Sequence, residues 1–170
     1  MGKKIYLLLV MIILFSCNPL YKKYKRLNDN VPKGKFYTKQ LEIIKPILSK
    51  EKEDVILIIS WEKNILVKNG NVYYNALIYY PSTGEKKLFR TTEKNPRTIV
   101  ESNNTSDVHF RELVYILDNY LDGKEEYLLS LNDSFSSSEL STPYYVYDFN
   151  KNKKIKINSF FFEKSGKIIQ

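Results

Sequence analysis

The chain has 170 residues, a formal net charge of +8, one histidine and one cysteine. A single cysteine cannot form a disulfide within the chain, so stability has to come from packing, and the length is that of one domain with a sizeable core. Zinc sites built on cysteine and histidine are also disfavoured, because one histidine would need at least two carboxylate partners.

The start of the chain has the three-part layout of a secretory signal. Lys3 and Lys4 form a basic start, an apolar run occupies residues 5–15, and the small residue Ser16 follows. The run of eleven residues is short for a spanning helix, which needs roughly 20 residues. We therefore expect residues 1–16 to be a signal peptide that is removed.

The end of this segment resembles the lipobox of bacterial lipoproteins, in which an aliphatic residue stands three positions before a cysteine and a small residue one position before it. Leu14 and Ser16 hold these positions before Cys17, with the bulkier Phe15 between them. The resemblance implies that Cys17 becomes the first mature residue and carries a diacylglycerol and an acyl chain such as palmitate. The alternative is an ordinary secretory signal followed by an unmodified cysteine.

The positive charge lies mainly before the expected domain. Of the total, +2 belongs to the signal and +5 to residues 18–35, which leaves +1 for residues 36–170. A nucleic-acid-binding domain carries its basic patch on the folded body, where it neutralises several phosphates together. The distribution therefore argues against nucleic acid as a partner.

Residues 17–35 are predicted to be a lipidated basic tether, for which two interpretations stay open. The first is contact with anionic headgroups, to which each basic residue near the surface contributes about 1 kcal/mol. The second is a solvated linker whose charges keep it extended. The side chains predicted to contact the membrane surface are Lys22, Lys23, Lys25 and Arg26.

The residues just after the cysteine also bear on location. Some Gram-negative lipoproteins reach the cell surface through an acidic cluster at this point, and residues 18–22 contain no acidic side chain. We therefore expect an anchor in the outer membrane that faces the periplasm.

The folded domain is predicted to span residues 36–170 and to begin with a helix over 38–49. Pro46 is expected to end or kink this helix at Lys45. The apolar positions recur at helical spacing: Leu41, Ile44, Ile47 and Leu48.

Several strands should follow as an antiparallel meander. The largely β-branched run over 55–59 is typical of a central strand that is buried on both faces. Asn69-Gly70 is a strong hairpin signal between strands over 65–68 and 72–80, and a further strand covers 86–91. A loop is expected after it, from Pro96 through Ser106.

A second helix, over about 106–122, is the clearest element. Thr105 or Ser106 can cap it, and Gly123 can adopt the left-handed conformation that ends it. Its apolar stripe, predicted to pack against the sheet, consists of Phe110, Leu113, Val114, Leu117 and Leu121.

The remainder is predicted to add a short helix over 125–131, a serine-rich loop over 132–142, and strands over 144–149 and 154–162. The predicted fold is therefore α+β, with an antiparallel meander sheet packed against one main amphipathic helix and a shorter N-terminal helix.

The sequence contains little that would support catalysis. His109 and Asp107 are two positions apart on a helix and point in different directions, so they cannot orient each other locally. We expect no enzymatic activity, no metal and no cofactor. If the chain were a carboxylate-dependent hydrolase, the residues to test would be Glu101, Asp107 and Glu112.

The chain has fourteen tyrosines, and the seven that fall in the predicted strands give those strands an aromatic character. Along 72–80 the set that includes Tyr74 is uniformly apolar and is assigned to the core. The alternate set contains Tyr73 and Tyr79, which we predict to form a binding face together with Tyr145 and Tyr147 if the register allows. The alternative is that tyrosine is simply a good strand residue on a covered sheet.

Three classes of function follow from these observations. The preferred one is a non-enzymatic periplasmic lipoprotein that binds a protein or an envelope component through its sheet face or the loop over 132–142. An immunity protein against a periplasm-acting toxin is a specific form of it. The alternatives are a carrier or sensor of an apolar ligand and the carboxylate-dependent hydrolase.

Overall fold

A computed structural model of the protein describes residues 19–29, 35–63, 72–92, 96–131 and 143–157. The chain divides into two compact units, residues 1–54 and 55–170. This division differs from the predicted domain start at residue 36, because the helix that follows that point belongs to the same unit as the segment before it. The helix over 106–122 and the predicted strands of the described residues belong to the second unit.

The first unit contains α1 (Pro19–Arg26) and α2 (Lys35–Leu48), which contact each other. Of the two interpretations of residues 17–35, the extended solvated linker does not hold for residues 19–26, which form α1. Leu20 and Tyr24 recur at helical spacing and are buried, and Asn28 continues the stripe by donating its amide to the Tyr24 carbonyl at 2.7 Å. Pro19 suits the first helical position, where its missing N–H has no cost.

Helix α2 continues through Pro46 to Leu48 and does not end at Lys45. A proline in the last turn removes one hydrogen bond and crowds the preceding turn. Ile47 and Leu48 beyond it are 5% and 0% exposed, so their burial offsets that cost.

The second unit is built on one antiparallel sheet in the order β4-β3-β2-β1-β5-β6. The predicted α+β class is confirmed. The chain meanders from β1 to β4, crosses the sheet through two helices, and returns to place β5 beside β1. The strands are β1 (Ile56–Lys63), β2 (Val72–Tyr79), β3 (Lys86–Thr91), β4 (Ile99–Glu101), β5 (Tyr144–Asp148) and β6 (Lys153–Ile157).

Strand β1 is central and buried on both faces, as predicted, since Leu57, Ile58 and Ile59 are fully buried. Strand β4 lies within the predicted loop, and its three residues are too few to show an alternating pattern. Four predicted features lie outside the described residues: the strand over 65–68, the Asn69-Gly70 turn, the loop over 132–142 and residues 158–162 of the last predicted strand.

The main helix, α3 (Val108–Leu121), packs on β1 and β2, and the short α4 (Glu125–Ser130) contacts it. We call the sheet surface beneath α3 the helix face. The core at this face joins the two layers through Ile56, Ile58, Leu77, Leu88, Phe110, Leu113, Ile116, Leu117, Tyr120, Leu128, Leu131, Tyr144, Val146, Ile155 and Ile157.

Two details of α3 differ from the prediction. Its N-cap is Asp107, which accepts from the His109 backbone N–H at 2.9 Å, and not Thr105 or Ser106. Leu121, placed in the apolar stripe, is 46% exposed, while Ile116 and Tyr120 are buried instead. Gly123 ends the helix as predicted, with a φ of +75°.

Candidate functional site

On the sheet surface opposite the helix face, two tyrosines of β5 lie beside two lysines of β6. In the antiparallel register Tyr147 pairs with Lys154 and Tyr145 pairs with Lys156. Directly opposed residues project to the same face of a sheet, so these four side chains share one surface. We call this surface the tyrosine face.

The ammonium group of Lys154 lies over two aromatic rings on the tyrosine face. Its Nζ atom is 5.1 Å from the ring centroid of Tyr145 and 5.5 Å from that of Tyr147. The two rings are stacked, with centroids 6.4 Å apart, and Tyr147 stacks in turn on Phe149. At these distances the cation is attracted by the electron-rich ring faces. The stacked tyrosines therefore fix the position of Lys154.

The surroundings of Lys154 disfavour its charge. Burial, and secondly the positive charge of Lys156, lower the pKa of Lys154 to about 8. Burial likewise raises the pKa of Tyr145, although the indole N–H of Trp61 donates to its hydroxyl and opposes that shift. The group formed by Trp61, Tyr145, Tyr147, Lys154 and Lys156 is named the lysine–tyrosine edge.

The lysine–tyrosine edge combines a half-buried cation, an exposed second cation and partly exposed aromatic area. Such a combination attracts anionic groups, because a charge interaction is stronger where water is partly excluded. Lys154 and Lys156 were not among the residues predicted from the sequence. Their alternation along residues 153–157 was visible, but only the β5–β6 register places them beside the tyrosines.

The predicted four-tyrosine face does not form. On β1, Ile56 is opposite both Tyr79 and Asp148, whereas Leu57 is opposite Tyr147. Consecutive residues of a strand project to opposite faces, so Tyr79 and Tyr147 lie on opposite faces of the sheet. Tyr73 lies on the same face as Tyr79, and Tyr145 on the same face as Tyr147. Tyr79 packs against the helix-face core, and Tyr147 is fully buried.

A second cluster of polar side chains lies at the start of α3. The Tyr144 hydroxyl donates to Oε2 of Glu112 at 2.5 Å, and Nδ1 of His109 lies 3.6 Å from the same oxygen. Asp107 caps the helix and pairs through Oδ2 with the guanidinium of Arg90 at 2.8 Å. This cluster fastens the helix to β3 and β5.

The three carboxylates named for a hydrolase have different surroundings. Asp107 is engaged by Arg90 and by the helix backbone, and Glu112 by Tyr144. Glu101 is exposed on β4. Asp107 and Glu112 thus hold structural positions, and nothing in this arrangement favours a pair of facing catalytic acids.

The basic residues predicted to contact a membrane divide into two groups. Lys22, Lys25 and Arg26 are exposed, and their spacing places them on one face of α1. Lys23 instead binds Asp54 of the same unit, with Nζ–Oδ distances of 2.6 and 2.7 Å. Cys17 lies outside the described residues.

Within the part of the chain that the structure describes, no helix is both long and apolar enough to cross a membrane. The same residues contain no group of three or more histidine, cysteine or acidic side chains placed to hold a metal ion. No protein-family model, curated protein or solved structure matches this chain.

Proposed function

We propose that this protein is a lipid-anchored component of the bacterial cell envelope that binds a protein or another envelope component and catalyses no reaction. Cys17 carries the lipid, and the anchor lies in the outer membrane facing the periplasm. The proposal starts from the signal layout and the resemblance to a lipobox.

The observation that carries the proposal is the position of α1 relative to Cys17. Only Asn18 separates Cys17 from Pro19, the first residue of the helix. Two residues of extended chain span at most about 7 Å. An acylated Cys17 would therefore hold the start of α1 within about one Debye length of the lipid headgroups at physiological salt.

The exposed face of α1 suits that position. Lys22, Lys25 and Arg26 project from the side opposite the buried Leu20 and Tyr24. Each basic side chain near an anionic surface contributes about 1 kcal/mol. A folded helix also presents these charges together, which a flexible linker would not do.

The binding role is supported by the chemistry of the two clusters in the second unit. Asp107 and Glu112 have partners that serve the fold, whereas the lysine–tyrosine edge places cationic and aromatic groups at β6, an outer strand among the described strands of the sheet. Tyrosine and tryptophan are enriched in protein interfaces. Among the functions considered, binding is the one this geometry favours.

The anchor is tested by metabolic labelling with an acyl analogue in cells. The wild-type chain should take up the label and Cys17→Ala should not. Label retained in Cys17→Ala would refute lipidation at this residue.

The membrane contact of α1 is tested by vesicle flotation of the unlipidated Cys17→Ala chain. Removing two charges by Lys25→Gln and Arg26→Gln should weaken binding to vesicles with anionic lipid by about tenfold or more. The matched control replaces Lys50 and Lys52, which are exposed in the same unit outside α1, with glutamine. Equal losses in both pairs would contradict a specific role for α1.

The binding role is tested by affinity purification from envelope extracts, with the anchored chain and with Cys17→Ala. We expect a specific protein or envelope component to be enriched on the anchored form. A toxin among the enriched proteins would identify the immunity form of this function. No specific enrichment would overturn the proposal.

A further inference from the structure

The two lysines of the lysine–tyrosine edge have the spacing of alternate residues in an extended peptide. Lys154 and Lys156 are two positions apart on β6 and project to the tyrosine face. Residues at this spacing in a strand are about 7 Å apart. Two carboxylates at alternate positions of an extended segment would therefore match the two ammonium groups one to one.

The surroundings of Lys154 make a carboxylate partner more effective there than on an open surface. The ammonium group is half-buried against Tyr145 and Tyr147, where the effective dielectric constant is lower than in water. A bound carboxylate would also offset the repulsion between the two lysines, which contributes to the lowered pKa of Lys154. Both effects favour an anionic ligand.

Among the described strand residues of the tyrosine face, the one acidic side chain lies far from β6, and Lys87 of β3 is on the same face near it. Following the register from β5 through β1, β2 and β3 places Glu101 of β4 on this face. β4 and β6 are the two outer strands in the order of the described residues, and five strand spacings of about 4.8 Å separate them by about 24 Å. The β6 end of the face is therefore a local region of positive charge.

We propose that the lysine–tyrosine edge binds an extended acidic segment of a protein partner, with carboxylates at alternate positions pairing with Lys154 and Lys156. The inference rests on the proposed binding role and not on the lipid anchor. It names the chemistry of the partner, which is a segment with the pattern Asp/Glu-x-Asp/Glu.

The test uses the full-length chain in detergent micelles and a synthetic twelve-residue peptide with glutamate at alternate positions. Calorimetry should detect binding of this peptide and none of the matched peptide with glutamine at those positions. Lys154→Gln should weaken binding by about tenfold, the size expected for a hydrogen bond to a charged group. Lys156→Gln should weaken it by about three- to fivefold, because Lys156 is exposed and exposed ion pairs are weaker. Lys154→Arg, which keeps the charge, should bind within a few-fold of wild type.

The matched control is Lys153→Gln, which removes the same charge from the same strand on the opposite face. Lys153 pairs with Glu125 at 2.6 Å, so its loss should change peptide affinity by less than about twofold. In addition, the pKa of Lys154, followed by NMR of the methylated amine, should rise when the glutamate peptide is bound.

Several results would overturn the inference. They are no binding of the glutamate peptide, equal binding of the glutamine peptide, or an equal loss in Lys153→Gln. Tighter binding of an oligoglucuronate that is lost in Lys156→Gln would assign the edge to an anionic polysaccharide instead of a protein segment. Lys156 is exposed, so Lys156→Gln keeps the test valid even if Lys154→Gln fails to fold. The labelling of Cys17 is independent of all these outcomes.

Discussion

Replacing Tyr144 with phenylalanine removes the hydroxyl that donates to the Glu112 carboxylate. Tyr144 is 2% exposed, and the Glu112 side chain is 12% exposed, so water has little access to either group. The His109 nitrogen at 3.6 Å is too distant for an ordinary hydrogen bond and cannot replace the lost donor. The carboxylate would remain largely desolvated and under-satisfied.

The magnitude follows from the charge of the acceptor. A hydrogen bond to a charged group contributes about 1.5–3 kcal/mol to the free energy of unfolding, compared with about 1 kcal/mol for a neutral pair. The phenyl ring keeps the packing of tyrosine, so a cavity adds little. We therefore expect Tyr144→Phe to lower the free energy of unfolding by about 2 kcal/mol.

Urea unfolding at pH 7, on the chain from residue 17 with Cys17→Ala, measures this change. Trp61 is the one tryptophan of the sequence and lies on β1, so its fluorescence reports unfolding of the sheet. The matched control is Tyr115→Phe, which removes a hydroxyl bonded to Tyr127 at 2.9 Å in an exposed position. It should cost less than about 0.5 kcal/mol.

A double-mutant cycle decides whether the loss arises from this contact. In a Glu112→Leu background the Tyr144→Phe substitution should cost much less, because no carboxylate is left without its donor. A loss of about 2 kcal/mol in both backgrounds would refute the reasoning, as would a loss below about 0.5 kcal/mol in the wild-type background.

Three further predictions concern stability, measured by the same urea unfolding. Leu117→Ala should cost about 2–4 kcal/mol because Leu117 is fully buried, whereas Leu121→Ala should cost less than about 1 kcal/mol; equal costs would contradict the helix orientation. Gly123→Ala should lower the free energy of unfolding by about 1 kcal/mol because of the positive φ alone, since nothing lies within 4 Å of the added carbon. Gly123→Asn should lower it by less. No loss for alanine would contradict the left-handed conformation. The pKa of Lys154 lies near 8 in the folded chain, below its value in the unfolded chain. The unfolded chain therefore binds more protons between pH 8 and 10, and the free energy of unfolding of the wild type should rise over that range relative to Lys154→Gln. Parallel dependence of the two free energies on pH would contradict this.

The parts of the fold that sequence patterns predicted are those that local signals specify. The apolar stripe of α3, the glycine that ends it and the β-branched run of β1 each depend on neighbours within a few positions. Helix α3 appears at nearly the predicted bounds, whereas β1 starts one residue later than predicted and extends four residues further, to Lys63. Local patterns could not decide which strands become neighbours, because that choice depends on packing across the whole sheet.

Helix α1 shows how composition can hide a pattern. Four of its eight residues are basic, and this density of charge suggested a solvated segment. The informative signal was the spacing of Leu20, Tyr24 and Asn28, which places one narrow stripe on a buried side. Charged residues are compatible with such a helix because they occupy the other side.

The candidate site was only partly predictable for a related reason. Alternation within β5 correctly gives Tyr145 and Tyr147 a common face, but their relation to Tyr79 depends on the pairing of β5 with β1. Ile58 and Val146, which form one of those pairs, are 88 positions apart. No short-range pattern encodes that register, so Lys154 and Lys156 could be placed beside the tyrosines only from the structure.

The position of β1 between β2 and β5 also has a kinetic consequence. The strands from β1 to β4 are joined by short-range contacts and can pair early, whereas β5 has to close a long loop before it reaches β1. Until β5 arrives, β1 is an edge strand with an isoleucine-rich sequence, which is the kind of edge that pairs with other chains. During refolding at high concentration, the residues 56–59 should therefore be where aggregation competes with the docking of β5.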